Sequence, residues 1–328
     1  MSARASVGVV FITHNSRRHL ARSLPPILAS SLKPRVLVVD SSSTDGTAEE
    51  ARRLGAEPWI IPRREFNHGA TRELARRRLG TDWVVMMTPD AYAVGDDFLE
   101  RLVAPLADRT VATTYARQIP HVGAGWFEAL LRDFNYPAAN ERRGLDDVPR
   151  RGSATFFSSN SCAAYRNDAL DAIGGILPGL VSEDYITVVR LLRQGYAIAY
   201  VAEARVHHSH AYSIAQEFRR YFDTGYGRRM YQHLFPEVTE DTRGREYARL
   251  LLSRTLKARP ALLPYALLSL AAKATGYKVG RIGHVLPIAM RRAMSAQDFY
   301  WGSPYRDVTD PLPRTAAVPP PPSAGPKP

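Results

Sequence analysis

Cysteine is almost absent: Cys162 stands alone in 328 residues, so the chain can form no internal disulfide and cannot build a four-cysteine zinc site. A reducing compartment fits that usage. Long apolar runs are lacking as well. The longest, Ala261 to Ala272, is broken by Pro264 and falls short of the roughly 20 residues that a membrane-crossing helix needs. The amino terminus carries Arg4 and passes straight into a strand-like stretch, without the apolar block and small-residue cleavage site of a signal peptide. The expected location is therefore the cytoplasm. Acids are in deficit, 32 Asp and Glu against 44 Lys and Arg, for a formal net charge of +12. Such a balance calls for anionic partners, among which nucleic acid, anionic lipid and nucleotide phosphates all qualify. Arg254, Lys257, Arg259, Lys273, Lys278 and Arg281 flank the 261–272 stretch. That pattern suits either a helix lying on an anionic membrane surface or an ordinary amphipathic helix packed on a larger domain.

What the chain does contain is an alternation of strand and helix. Val7 to Thr13, Val36 to Asp40 and Trp83 to Thr88 are continuous apolar runs with polar ends, as in parallel strands buried on both faces. Helical patterns separate them over about 18–30, 47–54 and 70–79. The first hundred residues thus predict an α/β fold with a doubly wound, mostly parallel sheet, whose ligands sit beyond the carboxyl ends of its strands. Thr13, Asn15, Asp40, Ser42 and Asp90 occupy such ends. The middle, from about 110 to 200, mixes short strands and loops with a helix over about 183–194, and 212–294 reads mostly helical. From Pro311, with four prolines at Pro319 to Pro322, the composition is that of a disordered tail.

Five segments carry candidate chemistry, each with a plainer structural reading beside it. In Asp40-Ser-Ser-Ser-Thr-Asp-Gly-Thr47, Asp40 can accept hydrogen bonds from a base or ribose edge, or the segment is simply a turn and helix cap. Asp90, in Thr88-Pro-Asp-Ala-Tyr92, is placed either to ligate a hard divalent cation bridging two phosphates or to cap a turn. Ser182-Glu183-Asp184-Tyr185 opens a helix, where a carboxylate is favoured by the dipole; its alternative role is general base toward an acceptor hydroxyl. Val206-His-His-Ser-His210 packs three histidines into four positions, as a transition-metal ligand set or as surface polar residues. Finally, Glu65-Phe-Asn-His-Gly-Ala-Thr-Arg72 leads into a basic helix, and Arg72 has the bidentate geometry for phosphate or base.

Together these segments resemble family 2 glycosyltransferases of the GT-A fold, and more narrowly the bacterial rhamnosyltransferases. The resemblance runs from about 7 to 226, more weakly to about 280, and is carried by VVFITHN, VVDSSSTDGT, FNHGATRE, MMTPDA, YARQIP, FNYP, SNSCAAYR, LVSEDY and VHHSHAYS in that order. It implies a GT-A catalytic domain over 1–212, with a nucleotide-binding half to about 110 and an acceptor-side half over 111–212. A helical carboxyl-terminal region over 213–300 and the tail over 311–328 would follow. By the resemblance Thr13, Asn15, Asp40, Ser42 and Arg72 line the nucleotide pocket, and Asp90 is the aspartate of a D-x-D-type metal motif. Thr88 replaces the second acid of that motif, which raises the value of a histidine ligand, and the family spacing selects His208. Asp184 matches the family's base. Arg117, Gln118, Trp126, Tyr136 and Glu183 are acceptor-side candidates. The implied reaction is a single displacement with inversion, moving L-rhamnose from dTDP-β-L-rhamnose, with Mg²⁺ or Mn²⁺, to a hydroxyl of a cell-surface or polyprenyl-linked glycan. Nucleic acid is not among the implied partners; a peripheral site on the cytoplasmic face of the inner membrane is. A nucleotidyltransferase would instead bring a glycine-rich phosphate loop after the first strand, where this chain has Thr13-His-Asn-Ser. A non-catalytic carbohydrate-binding protein would leave the ordered carboxylates unexplained.

Overall fold

The computed structural model describes residues 5–234 and 242–313. Its first half alternates β1 (Val7–Thr13), α1 (Arg17–Leu28), β2 (Arg35–Asp40), α2 (Thr47–Leu54), β3 (Glu57–Ile60), α3 (His68–Leu79) and β4 (Trp83–Met87). Next come β5 (Tyr92–Val94), α4 (Phe98–Val103), β6 (Val111–Ile119), α5 (Trp126–Asn135), β7 (Glu141–Arg143), α6 (Val148–Arg151), β8 (Cys162–Arg166), α7 (Asn167–Ala172), α8 (Glu183–Arg193) and β9 (Ala197–His207). Four helices close the described chain: α9 (Ile214–Met230), α10 (Thr242–Ala258), α11 (Leu263–Arg281) and α12 (Ile288–Met294). The strands form one sheet in the order β3-β2-β1-β4-β8-β6-β9-β5, with β7 paired to β9 off that path. From β3 to β4 every pairing is parallel; beyond it β8 runs antiparallel to both neighbours, whereas β6 and β9 are parallel.

The unbroken apolar runs are explained by burial on both faces. Successive side chains of a strand point to opposite sides, so Val10, Ile12, Leu37 and Val39 enter one core with α3 and α8. Val9, Phe11, Val36 and Val38 enter the other, against Leu20, Leu24 and Ile27 of α1 and the α4 leucines. Neither face meets water, so alternation has nothing to encode. The expected strands and helices of the first hundred residues all form, with ends displaced by a few residues. Strand β9 is longer than the short strands expected of the middle segment, because it runs from Ala197 to His207 alongside β6.

Two of the carboxyl-terminal helices, α9 and α11, pack against each other through glycine. Ala266, Ser269, Lys273, Gly276 and Gly280 make one buried stripe of α11, and α9 lies across it. Atoms of the two backbones come so close that a Cβ on Gly276 would stand 2.3 Å from the Phe218 carbonyl oxygen, one on Gly280 2.1 Å from that of Phe222, and one on Gly225 2.2 Å from that of Tyr277. Lys273 turns inward to Glu217 at 2.9 Å and Arg281 donates to Gln232, so these two cations do not belong to an outward basic face. Most of the proline-rich tail, from 314 on, lies outside the described residues, as does the segment 235–241. Replacing Gly280 by alanine is expected to destabilise the α9/α11 contact by about 1–3 kcal/mol, the usual cost of overpacking; urea unfolding of wild type against Gly280→Ala measures it.

Candidate active site

Strand order decides which polar ends meet. Asp40 is in register with Thr13, and Phe11 with Met87, so the carboxyl ends of β2, β1 and β4 stand side by side. Two strand spacings, roughly 10 Å, separate the Asp40 end from the Thr88–Asp90 turn. At the β2 end Asp40 is 2% exposed and accepts hydrogen bonds from the Thr13 hydroxyl at 3.2 Å, from the Ser43 amide at 3.0 Å and from the Ser43 hydroxyl. Asn15 and Ser42 adopt positive φ, 49° and 57°; the Thr44 amide donates to Asn15 Oδ1, and Ser42 donates to the Ile61 carbonyl. Asp45 accepts from the amides of Arg17 and Thr47, so the turn-and-cap reading of this segment describes Asp45 well. Thr13, Asn15, Asp40 and Ser42 therefore make one tied shelf, beside the main cavity rather than in its wall.

That cavity, about 550 Å³, is walled by the residues on which the chemistry turns: Asp90, Glu183, Asp184, His208 and His210, together with Gln118 and Tyr136. Asp90 Oδ1 lies 3.6 Å from His208 Nε2, Asp90 Oδ2 lies 3.4 Å from His210 Nε2, and the two Nε2 atoms are 3.2 Å apart. The sequence reading chose His208 alone, and the structure adds His210. His207, by contrast, points to the Pro120 carbonyl at 2.7 Å and away from Asp90. Alternation past the end of β9 accounts for the pair: residues 208 and 210 fall on one side, residue 207 on the other.

Gln118 settles the tautomer of His208. Arginine can only donate, so the 2.7 Å bond from Arg132 Nη1 identifies Gln118 Oε1 as an acceptor, and the Gln118 amide nitrogen in turn reaches the Ser159 hydroxyl. His208 Nδ1, 2.9 Å from the same oxygen, must therefore carry its hydrogen, which leaves a lone pair on Nε2. Burial pushes the His208 imidazole down to about 3, so the ring is neutral at physiological pH. At Asp90 burial works against ionisation, but His208 and His210 outweigh it and hold the carboxyl below the ordinary carboxylate range. Three acceptors thus converge with at most one proton to share, a donor set of one carboxylate and two imidazoles that fits a divalent cation.

The same cavity is lined by the acid pair at the start of α8. Glu183 is buried and receives Arg72 Nη1 at 2.7 Å and the Asn160 side-chain amide at 3.1 Å. Despite burial, Arg72 and a nearby His68 keep its carboxyl below the ordinary range. Asp184 accepts from two backbone amides, Tyr185 N at 2.7 Å and Asn160 N at 3.2 Å. Burial, reinforced by the charge on Glu183, pushes Asp184 up to about 7. Adjacent carboxylates are thereby driven apart: one is a fixed anion, the other a group that exchanges a proton near neutrality.

Three of the expected residues lie outside the wall of this cavity. Arg72 is 3% exposed and committed to Glu183 and to the carbonyls of His68 and Asn160; it sits beneath the acid pair and not in the cavity wall. Arg117 does not line the cavity either, because residues 117 and 118 are neighbours on β6 and only Gln118 can face it. Trp126 lines an adjoining groove and donates from Nε1 to Thr255 at 3.1 Å. Several wall residues were not among the sequence candidates: Arg132, Arg220, Arg228 and Arg243 line the cavity from α5, α9 and α10.

A mostly parallel α/β sheet, a carboxylate–histidine cluster and a carboxyl group raised toward neutrality, the last two in one cavity, fit a glycosyltransferase. Residues 4–227 match the glycosyltransferase-like family 2, and the chain belongs to that family. It is 36% identical over 276 residues to the O-antigen chain rhamnosyltransferase WbaN of Salmonella anatum, covering 82% of this chain and 86% of that protein. It is also 25% identical over 242 residues to the N-acetylglucosaminyl-diphospho-decaprenol L-rhamnosyltransferase of Mycobacterium tuberculosis, covering 64% of this chain and 78% of that protein. Among solved structures, the mannosyltransferase PcManGT of Pyrobaculum calidifontis, in complex with GDP-Man and Mn²⁺, shares the fold with a TM-score of 0.53 at 20% identity, over 92% of this chain and 86% of that one.

Outer-shell partners of metal-binding histidines typically control affinity 10- to 100-fold. Gln118→Leu is accordingly expected to weaken Mn²⁺ binding by about that factor, and Asp90→Ala to weaken it further, as read by isothermal titration of the metal into donor-free protein.

Proposed function

We propose that this chain is an inverting rhamnosyltransferase that moves L-rhamnose from dTDP-β-L-rhamnose to a hydroxyl of a cell-surface glycan. The observation that carries the reading is that Asp184 and the Asp90–His208–His210 cluster line one cavity of about 550 Å³, large enough for a sugar. Asp184 takes the proton from the acceptor hydroxyl while its oxygen forms the new bond to the anomeric carbon. The bond from that carbon to the diphosphate oxygen breaks with its electron pair, and the nucleoside diphosphate leaves. Inversion follows from attack opposite to departure. Asp90, His208 and His210 would hold Mg²⁺ or Mn²⁺, which when bound neutralises charge on the leaving diphosphate. Gln118 keeps the His208 lone pair aimed at the cation site, and Glu183, fixed by Arg72, keeps Asp184 basic enough to act near neutral pH.

The donor nucleoside would lie on the shelf of Thr13, Asn15, Asp40 and Ser42, within a catalytic unit over 1–212 whose acceptor-side half is 111–212, followed by the helical region over 213–300. Rhamnose as the sugar rests on the names of the two relatives described above, both rhamnosyltransferases. A glycosyltransferase using a UDP- or GDP-sugar is the alternative, which a screen of nucleotide sugars by mass spectrometry on the purified protein decides. With the accepted donor, Asp184→Asn is expected to lower transfer about 10²- to 10⁴-fold, the usual worth of a general base. Because the base must be unprotonated, kcat/KM should fall about tenfold per pH unit below pH 7 and level off above it. A flat profile down to pH 5 would remove Asp184 from this role.

The reading also places the protein on the cytoplasmic face of an anionic membrane. Among the described residues no helix is long and apolar enough to cross a bilayer. Yet eight of the eleven exposed large hydrophobic residues fall within 256–290, Leu267, Leu268 and Val285 among them, with Arg254, Lys257, Arg259 and Lys278 exposed nearby. Apolar side chains ringed by cations suit an interfacial helix. Wild type should float with vesicles containing phosphatidylglycerol, and Leu267→Glu/Leu268→Glu should reduce that fraction severalfold; equal flotation would sink the membrane docking.

A further inference from the structure

The segment 295–301 lies beyond the residues that match the family, yet it reaches the active-site cavity. Gln297 lines that cavity together with Asp184, and its Oε1 lies 3.4 Å from His68 Nε2. This contact occupies one end of the side-chain amide; the other end has no partner among the described residues. An amide both donates and accepts without carrying charge, which matches a hydroxyl, whereas a phosphate oxygen calls for charged donors.

The segment is fastened on both sides of Gln297. After it, Tyr300 and Trp301 are buried with Leu180, Phe222 and Tyr226. The Phe299 ring stands 5.3 Å from that of Phe66, and the Arg63 guanidinium lies 4.3 Å over it. Arg63 in turn donates from Nη1 to the Ser41 hydroxyl at 2.9 Å, next to Asp40 of the nucleoside shelf. Before Gln297, Asp223 of α9 is 1% exposed, accepts the Ala296 amide at 2.9 Å and is bonded by the Ser295 side chain. The Ser295 hydroxyl oxygen accepts the Gln297 amide at 2.9 Å, so Asp223 shapes the turn from which Gln297 projects. Asp223 Oδ1 is buried without a hydrogen-bond partner among the described residues, which makes this carboxyl group a poor choice for stability alone. Gln297 thus stands two residues from the ring that meets the shelf through Arg63, in a wall shared with Asp184. What spans a nucleoside on the shelf and a reacting carbon at Asp184 is the donor's own diphosphate and sugar, and of these only the sugar carries hydroxyls.

We propose that Gln297 is a specificity-determining residue that hydrogen-bonds a hydroxyl of the donor's sugar, and that Asp223, through the turn at Ser295 and Ala296, is the residue that positions it. The inference rests on the glycosyltransferase reading and adds to it a side chain that reads the sugar and not the nucleotide. A site built to bond a hydroxyl rejects a sugar that lacks it or presents it elsewhere, because the amide is then left unpaired.

The test is calorimetry on the full chain with Mn²⁺, comparing dTDP-β-L-rhamnose with dTDP, or the corresponding pair if the donor screen selects a UDP- or GDP-sugar. Gln297→Ala is expected to weaken binding of the nucleotide sugar about three- to tenfold, the worth of one neutral hydrogen bond, and to leave the nucleoside diphosphate within about twofold. Asp223→Ala should do the same, and Asp223→Asn, which keeps a carbonyl oxygen for the Ala296 amide, should recover most of the loss. Because both act on one contact, the double variant Gln297→Ala/Asp223→Ala should bind no more weakly than Gln297→Ala alone. Thermal melting checks that each variant is folded. Unchanged nucleotide-sugar affinity in Gln297→Ala, or an equal loss for the nucleoside diphosphate, would overturn the role of Gln297; additive losses in the double variant would overturn that of Asp223. Wild type separates the two readings: transfer that Gln297→Ala leaves intact sinks this inference alone, whereas a wild type that binds none of the dTDP-, UDP- and GDP-sugars sinks the enzyme reading as well.

Discussion

The ion pair between Arg72 and Glu183 is the contact on which the active site depends. It joins α3 to the first turn of α8 across 111 residues of chain, with both side chains nearly removed from water. Buried pairs of this kind add little net stability when intact, but losing one partner leaves an uncompensated charge that costs about 3–5 kcal/mol. Its effect here is chiefly geometric and electrostatic. Glu183 also receives Asn160, whose backbone amide supports Asp184, so the pair sets where the base stands. Its fixed negative charge sits next to Asp184 and helps raise that group into the range where it can exchange protons.

Elsewhere in the cavity the opposite electrostatic choice is made. Asp90 is kept ionised by two imidazoles, and the tautomer of one of them is dictated by a donor-only arginine through Gln118. In one cavity, one carboxyl group is thus held below the ordinary carboxylate range and the other raised to near neutrality. A transfer that generates negative charge on the departing diphosphate and a proton on the attacking oxygen needs a group of each kind, one at either end.

Much of the fold was legible because burial on two faces writes unbroken apolar runs, as in Val7–Thr13 and Val36–Asp40, and because turn residues such as Asp45-Gly46 punctuate them. Asp90, Asp184 and His208 were legible only through the order of motifs, since each alone reads equally well as a cap or a surface residue. Arg72 misled for a physical reason: a guanidinium is as well suited to a carboxylate as to a phosphate, and spacing along a helix does not say which it meets. The wall arginines carried no pattern, because they come together from α5, α9 and α10, elements far apart in the chain.

By itself, then, the sequence determined the local grammar: buried strands, helices with their starts, acids and histidines stationed at strand and helix ends. Hydrophobic periodicity and turn chemistry act over a few residues, so they can be read in one dimension. The tertiary structure alone decided which of those ends meet, which tautomer His208 carries, that Asp184 sits near neutrality while Glu183 stays charged, and that four arginines share one wall. Those properties depend on burial and on distances between segments more than a hundred residues apart, and no local pattern encodes them.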